Sequence, residues 1–410
     1  MTIEQLKNKK ILILGYGIEG KATYDFLKKY CPRATVGIAD QKDSPGSDDY
    51  LKKQADYDLV IKTPGIPKRL VTKPYTTGTN IFFANANRPI IGITGTKGKS
   101  TTTTLIYSIL KEGDLNAYLI GNIGIPMLSE LMTEKTDDAI YVCELSSYQL
   151  EDIEYSPYIS VILNLFPEHM DYHGSFENYK TVKKRIIYHA TSKDYFVYNP
   201  DYPELLELAK LTKAKGVPFV EELFFPTEII PLRGEHNIEN VRAAVTVARI
   251  IDVPDEAIEA AVRKFTPLPH RLEFVGNFRG IDFYDDAIST TPESTIMAIN
   301  SIPNIQTIFL GGKDRGYDFS LLAGKIADSG IKNIVLFPES GAKMKPLLSH
   351  IPGIKLFETS DMKEAVKFAY ENTKPGMACV LSTASPSYSV WKNFEEKGDL
   401  FKKFVKELGE

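Results

Sequence analysis

Residues 92–104 read Gly-Ile-Thr-Gly-Thr-Lys-Gly-Lys-Ser-Thr-Thr-Thr-Thr, and no other stretch narrows the fold as much. An apolar, strand-like lead-in, Pro89-Ile90-Ile91, runs into a glycine loop followed by a lysine and five consecutive hydroxyl residues. Gly95 and Gly98 let backbone N–H groups approach an anion, Lys99 adds a mobile positive charge, and Ser100 offers a hydroxyl to Mg²⁺. A helix from Thr101 onward would turn its positive end to the same anion. The strict eight-residue phosphate-loop pattern fails, because its first glycine falls on Ile93. The tighter Gly-Thr-x-Gly-Lys-Ser form remains, and a bare glycine turn has no need of Gly-Lys-Ser.

At 410 residues, 43% hydrophobic and 25% charged, the chain has apolar material for two or three domains. A net charge of −4 argues against a general nucleic-acid binder. Lys180, Lys183, Lys184 and Arg185 are locally basic, a pattern that by itself reads as a solvated helix face. Cys31, Cys143 and Cys379 are odd in number and lack metal-ligand spacing, which suits a reducing cytoplasm. No apolar run reaches membrane-spanning length, and Ile11–Leu14 is too short for a signal-peptide core. A cytoplasmic protein with no membrane partner is expected.

Strands alternating with helices predict an α/β chain in three units: a Rossmann-like 1–88, a central phosphate-loop domain with a parallel sheet over 89–267, and a Rossmann-like 268–410. The first unit opens with a buried strand and a full G-x-G-x-x-G turn at 15–20, then a helix over 21–30 and a second strand ending at Asp40. Alone, that fingerprint favours a nicotinamide-dependent oxidoreductase. A third strand begins near Asp58 and ends in a turn at Thr63-Pro-Gly65. In the central unit, Ala139–Glu144 and Ser160–Leu165 read as strands, Phe176–His189 as a helix, and Gly234 as the start of another. The last unit shows strands at Thr307–Leu310, Asn333–Phe337 and Cys379–Leu381. Glu144 at one strand end, and Glu168 and His169 after the next, would bring polar groups to the edge that carries the phosphate loop, a pattern suited to a metal and a nucleotide.

At this point a resemblance becomes specific. Gly95–Thr102, Gly-Asn-Ile-Gly at 121–124, Glu-Leu-Ser-Ser-Tyr-Gln-Leu-Glu at 144–151, His169-Met-Asp, His236-Asn-Ile-Glu-Asn240 and Leu268-Pro-His-Arg-Leu-Glu273 resemble, in order along the whole chain, the Mur ligase family. The segment Ser382–Gly398, with Lys392-Asn-Phe-Glu-Glu-Lys-Gly, is most similar to the D-glutamate-adding branch. The resemblance implies ATP-driven amide synthesis through an acyl phosphate, with UDP-N-acetylmuramoyl-L-alanine and D-glutamate as partners.

It further implies roles for residues. Gly95, Thr96, Lys97, Gly98, Lys99, Ser100 and Thr101 would hold ATP phosphates, with Asn237, Asn240, Arg271 and Asp286 around the rest of the nucleotide. Lys99, Glu144, His169 and Lys183 would be catalytic. Ser100 and Glu144 would hold one Mg²⁺, and His169 a second, with Lys183 as a carbamate offering an anionic oxygen to a hard metal. Gly17, Ile18, Glu19, Asp40, Thr63, Gly65, Asn122 and His169 would meet the UDP substrate, so the turn at 15–20 would not be a dinucleotide site. Thr290, Arg315, Ser387 and Tyr388, with Phe394 as an aromatic wall, would bind D-glutamate, Arg315 by a bidentate grip on carboxylate. A monomer is expected.

Three departures from the family pattern stand out. Ile288 replaces a lysine common in relatives, Lys97 replaces a loop asparagine, and the first unit is short between Asp40 and Asp58 and between Ile66 and Arg88. Another Mur ligase or a folylpolyglutamate synthase is the nearest competing reading, separated by its acceptor. The oxidoreductase reading leaves the loop at 95–100 and everything after residue 92 unexplained.

Overall fold

The computed structural model describes residues 1–44, 47–232 and 234–409, apart from the side chain of Asp171. The chain divides into two compact units, one of residues 1–229 and 239–265, the other of 230–238 and 266–410. Among the described residues, no helix is long and apolar enough to cross a membrane.

The first unit contains two sheets. Strands β1 (Lys10–Leu14), β2 (Thr35–Ala39), β3 (Leu59–Lys62) and β4 (Tyr75–Thr77) pair in the order β2-β1-β3-β4, all parallel. Strands β5 (Ile90–Thr94), β6 (Ala117–Gly121), β7 (Ile140–Glu144), β8 (Ile159–Ile162), β9 (Tyr195–Tyr198) and β10 (Lys215–Pro218) form a parallel six-stranded sheet ordered β10-β9-β8-β5-β7-β6. Every residue of β5 is buried, as a central strand covered on both faces requires. Parallel pairing puts all the strand C-termini of a sheet on one edge, where such folds bind ligands.

The second unit holds β11 (Glu273–Phe278), β12 (Ile281–Asp285), β13 (Ile305–Gly311), β14 (Asn333–Phe337), β15 (Lys355–Glu358) and β16 (Ala378–Leu381), ordered β11-β12-β16-β13-β14-β15. Only the β11–β12 pair is antiparallel within this sheet. Two apolar clusters cover it, one around Ile308, Leu336 and Met344 and the other around Phe309, Phe337, Trp391 and Phe401.

The expected elements are present with shifted ends. The helix expected over 21–30 begins at Ile18, with Gly17 at its N-cap. That expected from Thr101 begins at Lys99 and runs to Glu112. The helix expected over 176–189 stops at Lys184 and tightens into a 3₁₀ turn at Arg185–Ile187. The strand expected to reach Leu165 ends at Ile162, because the chain beyond it bends to meet the glycine loop. One expectation from charge pattern alone fails: Lys183 is 1% exposed, so the basic run is not a uniformly solvated face.

Candidate active site

Strand β5 lies between β7 and β8, with Ile93 opposite Glu144 and Thr94 opposite Ile162. The glycine loop therefore leaves the sheet between Glu144 on one side and the segment running to His169 on the other. Gly98 caps the helix Lys99–Glu112 in the left-handed region, with φ +82°. A Cβ there would also lie 2.2 Å from Asn240 Oδ1, so both conformation and packing demand glycine. The same Asn240 oxygen accepts from Thr102 Oγ1 at 3.2 Å, placing one of the two expected adenine-side asparagines directly on the loop.

Lys99 curls back so that its ammonium donates to the carbonyls of Gly95 (3.0 Å) and Thr96 (2.7 Å). Ser100 is buried in the first turn of the helix. Glu144 is 1% exposed; Oε1 accepts from Asn122 Nδ2 at 2.7 Å, while the buried Oε2 has no hydrogen-bond partner among the described residues. Register explains this contact, since Gly121 of β6 stands opposite Glu144 of β7. Asn122, expected at the UDP substrate, is thus brought to the metal candidate as well.

His169 adopts a left-handed backbone, φ 58° and ψ 38°, and its ring packs 5.1 Å from Tyr148. Its Nδ1 is buried with no hydrogen-bond partner among the described residues. Burial lowers its pKa, so the imidazole is held neutral, the form that binds metal. Lys183 donates to Thr94 Oγ1 at 3.3 Å and lies 4.8 Å from the Tyr179 ring centroid. Burial depresses its pKa well below the ordinary lysine value, with neighbouring Lys99 adding to the effect. Lys184 is only partly buried, so the structure separates the two adjacent lysines.

At the first sheet, Leu14 stands opposite both Ala39 and Lys62, which aligns the turns carrying Gly17, Asp40 and Thr63. A Cβ on Gly20 would lie 2.2 Å from the Gly15 carbonyl oxygen, so close helix–turn packing fixes that glycine. Asp40 accepts from the Tyr16 N–H at 2.5 Å and the Lys42 N–H at 3.0 Å, and these bonds hold its carboxyl below the usual range. Thr63 Oγ1 donates to the Leu14 carbonyl at 3.0 Å. Ile18 is 77% exposed, and Gly17 and Gly65 are also exposed. Glu19 is nearly buried, accepts from Gln149 Nε2 at 2.7 Å, and has its pKa raised by burial.

In the second unit, Asp285 opposite Leu381 and Gly311 opposite Phe337 gather the acceptor candidates on one edge. Ser387 is 1% exposed and its Oγ has no hydrogen-bond partner among the described residues; Arg315 and Tyr388 are exposed, and Thr290 and Ile288 are half-buried. Phe394 meets His270 edge-on at 5.9 Å. Asp286 is fully buried, which pushes its pKa up to about 6 although Ser382 Oγ donates to it at 2.7 Å. Arg271 is half-buried, and Asn237 is 9% exposed.

Residues 93–225 match the Mur ligase middle domain, and residues 270–385 match the Mur ligase glutamate ligase domain. The UDP-N-acetylmuramoylalanine–D-glutamate ligase of Streptococcus agalactiae serotype III (strain NEM316) is 35% identical over 443 residues, covering 98% of this chain and 97% of its own. This chain belongs to the Mur ligase family. The corresponding ligase of Streptococcus pneumoniae (strain CGSP14) is 34% identical over the full length of both chains. Among solved structures, MurF ligase from Thermotoga maritima in complex with ADP superposes with a TM-score of 0.63 at 16% identity, covering 99% of this chain and 97% of its own. Mycobacterium tuberculosis folylpolyglutamate synthase, complexed with ADP and AMPPCP, shares the fold with a TM-score of 0.56 at 13% identity, covering 75% of this chain and 90% of its own.

Sequence reading passed over several groups in this Mur ligase. Asn164 accepts at Oδ1 from the Thr96 and Lys97 N–H groups at 3.0 and 2.8 Å. Lys62 is completely buried, 3.0 Å from Asp152 Oδ2 and 3.6 Å from Glu151 Oε2; the pairing is ionic, without hydrogen-bond alignment. Lys397 is also completely buried and donates to Thr383 Oγ1 at 2.5 Å. Its place in the Lys392–Gly398 motif was the available signal; for Lys62, at the end of an apolar strand, only its interruption of the apolar pattern was available.

Proposed function

We infer that this chain is an ATP-dependent amide ligase that adds D-glutamate to UDP-N-acetylmuramoyl-L-alanine in peptidoglycan precursor synthesis. The observation that carries this reading is its full-length relationship to D-glutamate ligases. The carboxylate of the muramoyl-alanine substrate attacks the γ-phosphate, giving an acyl phosphate and ADP. The amine of D-glutamate then attacks the acyl carbon, the amide bond forms and phosphate leaves.

The loop Gly95, Thr96, Lys97, Gly98, Lys99, Ser100 and Thr101 would wrap the ATP phosphates. Lys99, now held on loop carbonyls, is within reach of a phosphoryl charge developing over the helix end. Asn237, Asn240, Arg271 and Asp286 would contact the remainder of ATP. Gly17, Ile18, Glu19, Asp40, Thr63, Gly65, Asn122 and His169 would hold the UDP substrate. Thr290, Arg315, Ser387, Tyr388 and Phe394 would hold D-glutamate, supported by the unpartnered Ser387 hydroxyl.

The donor set fits Mg²⁺: a buried carboxylate oxygen without a partner is costly unless a cation meets it, and Glu144 Oε2 is such an atom. Ser100 and Glu144 would hold one ion, and His169 with carbamylated Lys183 a second. Bound there, Mg²⁺ would stabilise charge on the transferring phosphoryl oxygens. Carbamylation needs a neutral amine, and burial favours that form at Lys183. Domain limits of 1–88, 89–267 and 268–410, a monomeric state and a cytoplasmic location free of nucleic-acid partners complete the proposal.

Phosphate release from ATP in the presence of UDP-N-acetylmuramoyl-L-alanine tests it. D-glutamate should stimulate release, whereas L-glutamate, L-lysine and diaminopimelate should not. Equal stimulation by L-lysine or diaminopimelate would assign the chain to another branch.

A further inference from the structure

Lys97 adds a charge that a Gly-Thr-x-Gly-Lys-Ser loop does not require, and the structure gives that charge a partner. Lys97 Nζ lies 2.6 Å from Glu168 Oε1, with the carboxylate side chain only 9% exposed. The same two segments are joined through the backbone. Asn164 Oδ1 accepts from the N–H groups of Thr96 and Lys97, and its Nδ2 donates to the Lys97 carbonyl at 3.0 Å. Thr96 Oγ1 donates to the Phe166 carbonyl at 3.1 Å. Glu168 directly precedes His169, whose backbone is left-handed.

We propose that Lys97 and Glu168 act as one charge-neutral positioning pair that fixes the phosphate loop against the 164–169 segment and sets the pose of His169, with the Lys97 ammonium committed to Glu168 rather than to ATP. The reason is electrostatic. If Lys97 turned to the phosphates, it would leave a buried carboxylate uncompensated beside an anionic ligand. The chain's substitution at 97 therefore works as half of a pair. The proposal rests on the ATP-site reading above and deepens it.

A double-mutant cycle tests it, using Lys97→Asn, Glu168→Gln and the double variant in the full chain. Three quantities are read for each: ADP affinity by calorimetry, the kcat and KM for ATP, and the melting temperature. Lys97→Asn alone should weaken ADP and raise the KM for ATP about 30-fold, because a bare anion then faces the phosphates. Glu168→Gln alone should lower kcat about tenfold with no rise in the KM for ATP, since the freed ammonium turns to the phosphates and His169 loses its support. The double variant should bring ADP affinity back to within about threefold of the parent. A charge-reversed pair, Lys97→Glu with Glu168→Lys, should recover ADP affinity relative to Lys97→Glu alone. If Lys97→Asn costs as much in the Glu168→Gln background as in the parent, Lys97 is a phosphate ligand and the proposal is wrong. Should a single variant not fold, the double variant still decides, because a folded double variant with weak ADP binding also overturns the pairing. A parent chain that binds ADP but shows no D-glutamate-dependent phosphate release would sink the functional reading while leaving the cycle interpretable.

Discussion

The edge of the first unit proposed to hold phosphate and the edge of the second proposed to hold the acceptor are built to different plans. At the phosphate edge, Ser100, Glu144 and Lys183 are buried, and the loop is bonded to Asn164, Phe166 and Glu168. At the acceptor edge, Arg315 and Tyr388 are exposed, and Arg315 has no hydrogen bond or ion pair among the described residues. Order there lies one layer down. Lys397 bonds Thr383, Ser382 bonds Asp286, and His270 Nδ1 lies 2.7 Å from Asp285 Oδ2. A preassembled edge spends little on reorganisation as charge develops, whereas an edge with loose tips gains order from its ligand. Loss of Lys99 or Lys183 at the first should therefore appear mainly in kcat, and changes at the second mainly in KM.

The largest effect is expected from Lys99→Ala, which should lower kcat about 10²-fold or more while the melting temperature holds. Near-normal phosphate release would remove Lys99 from the chemistry. Lys183→Ala should lower kcat by about 10- to 100-fold, and added short carboxylates should restore part of it by replacing the carbamate oxygen. Intact-protein mass spectrometry with fragment mapping should place the added CO₂ on Lys183; finding it on Lys184 would contradict the assignment. On the other edge, Arg315→Ala should raise the KM for D-glutamate by about 2 kcal/mol, roughly 30-fold, with little change for ATP. Ile288→Lys in that background should be neutral or helpful. Equal weakening of ATP and D-glutamate would show that Arg315 does not report on the acceptor alone.

A separate effect, on stability rather than turnover, concerns the layer beneath. Burial lowers Lys397 from the ordinary 10.5 to about 7, against the pull of Asp285 and Asp286. The folded chain then binds this proton more weakly than the unfolded chain, so the burial penalty is complete below about pH 7 and fades toward 10.5. The stability of the parent relative to Lys397→Met should rise over that window, by at most about 1.4 kcal/mol per pH unit. A flat difference in denaturant midpoints from pH 7 to 10 would show that Lys397 keeps an ordinary pKa.

Much of this division was legible in the sequence. The run Gly95-Thr-Lys-Gly-Lys-Ser100 announced both the loop and the helix after it, because glycine spacing and the basic–hydroxyl pair have few other uses. Strand ends at Glu144 and Asp40 followed from apolar runs stopping at an acid. What escaped was pairing across the fold. Lys97 and Glu168, or Lys62 and Asp152, are far apart in the chain; sheet order brings β5 beside β8, and side-chain packing between the two sheets of the first unit brings Lys62 beside Asp152. The burial of Lys183 escaped charge pattern for a related reason: its helix is short and strongly two-sided, so one basic residue of the run faces inward.

The central claim is that one ATP is consumed for each D-glutamate joined to a UDP-linked muramoyl-alanine. Labelled D-glutamate incorporation into the UDP-linked product, measured with phosphate release in the same reaction, tests it most directly. The account predicts one label per phosphate, with no incorporation from L-glutamate. Phosphate release without incorporation, or equal incorporation of both enantiomers, would contradict it.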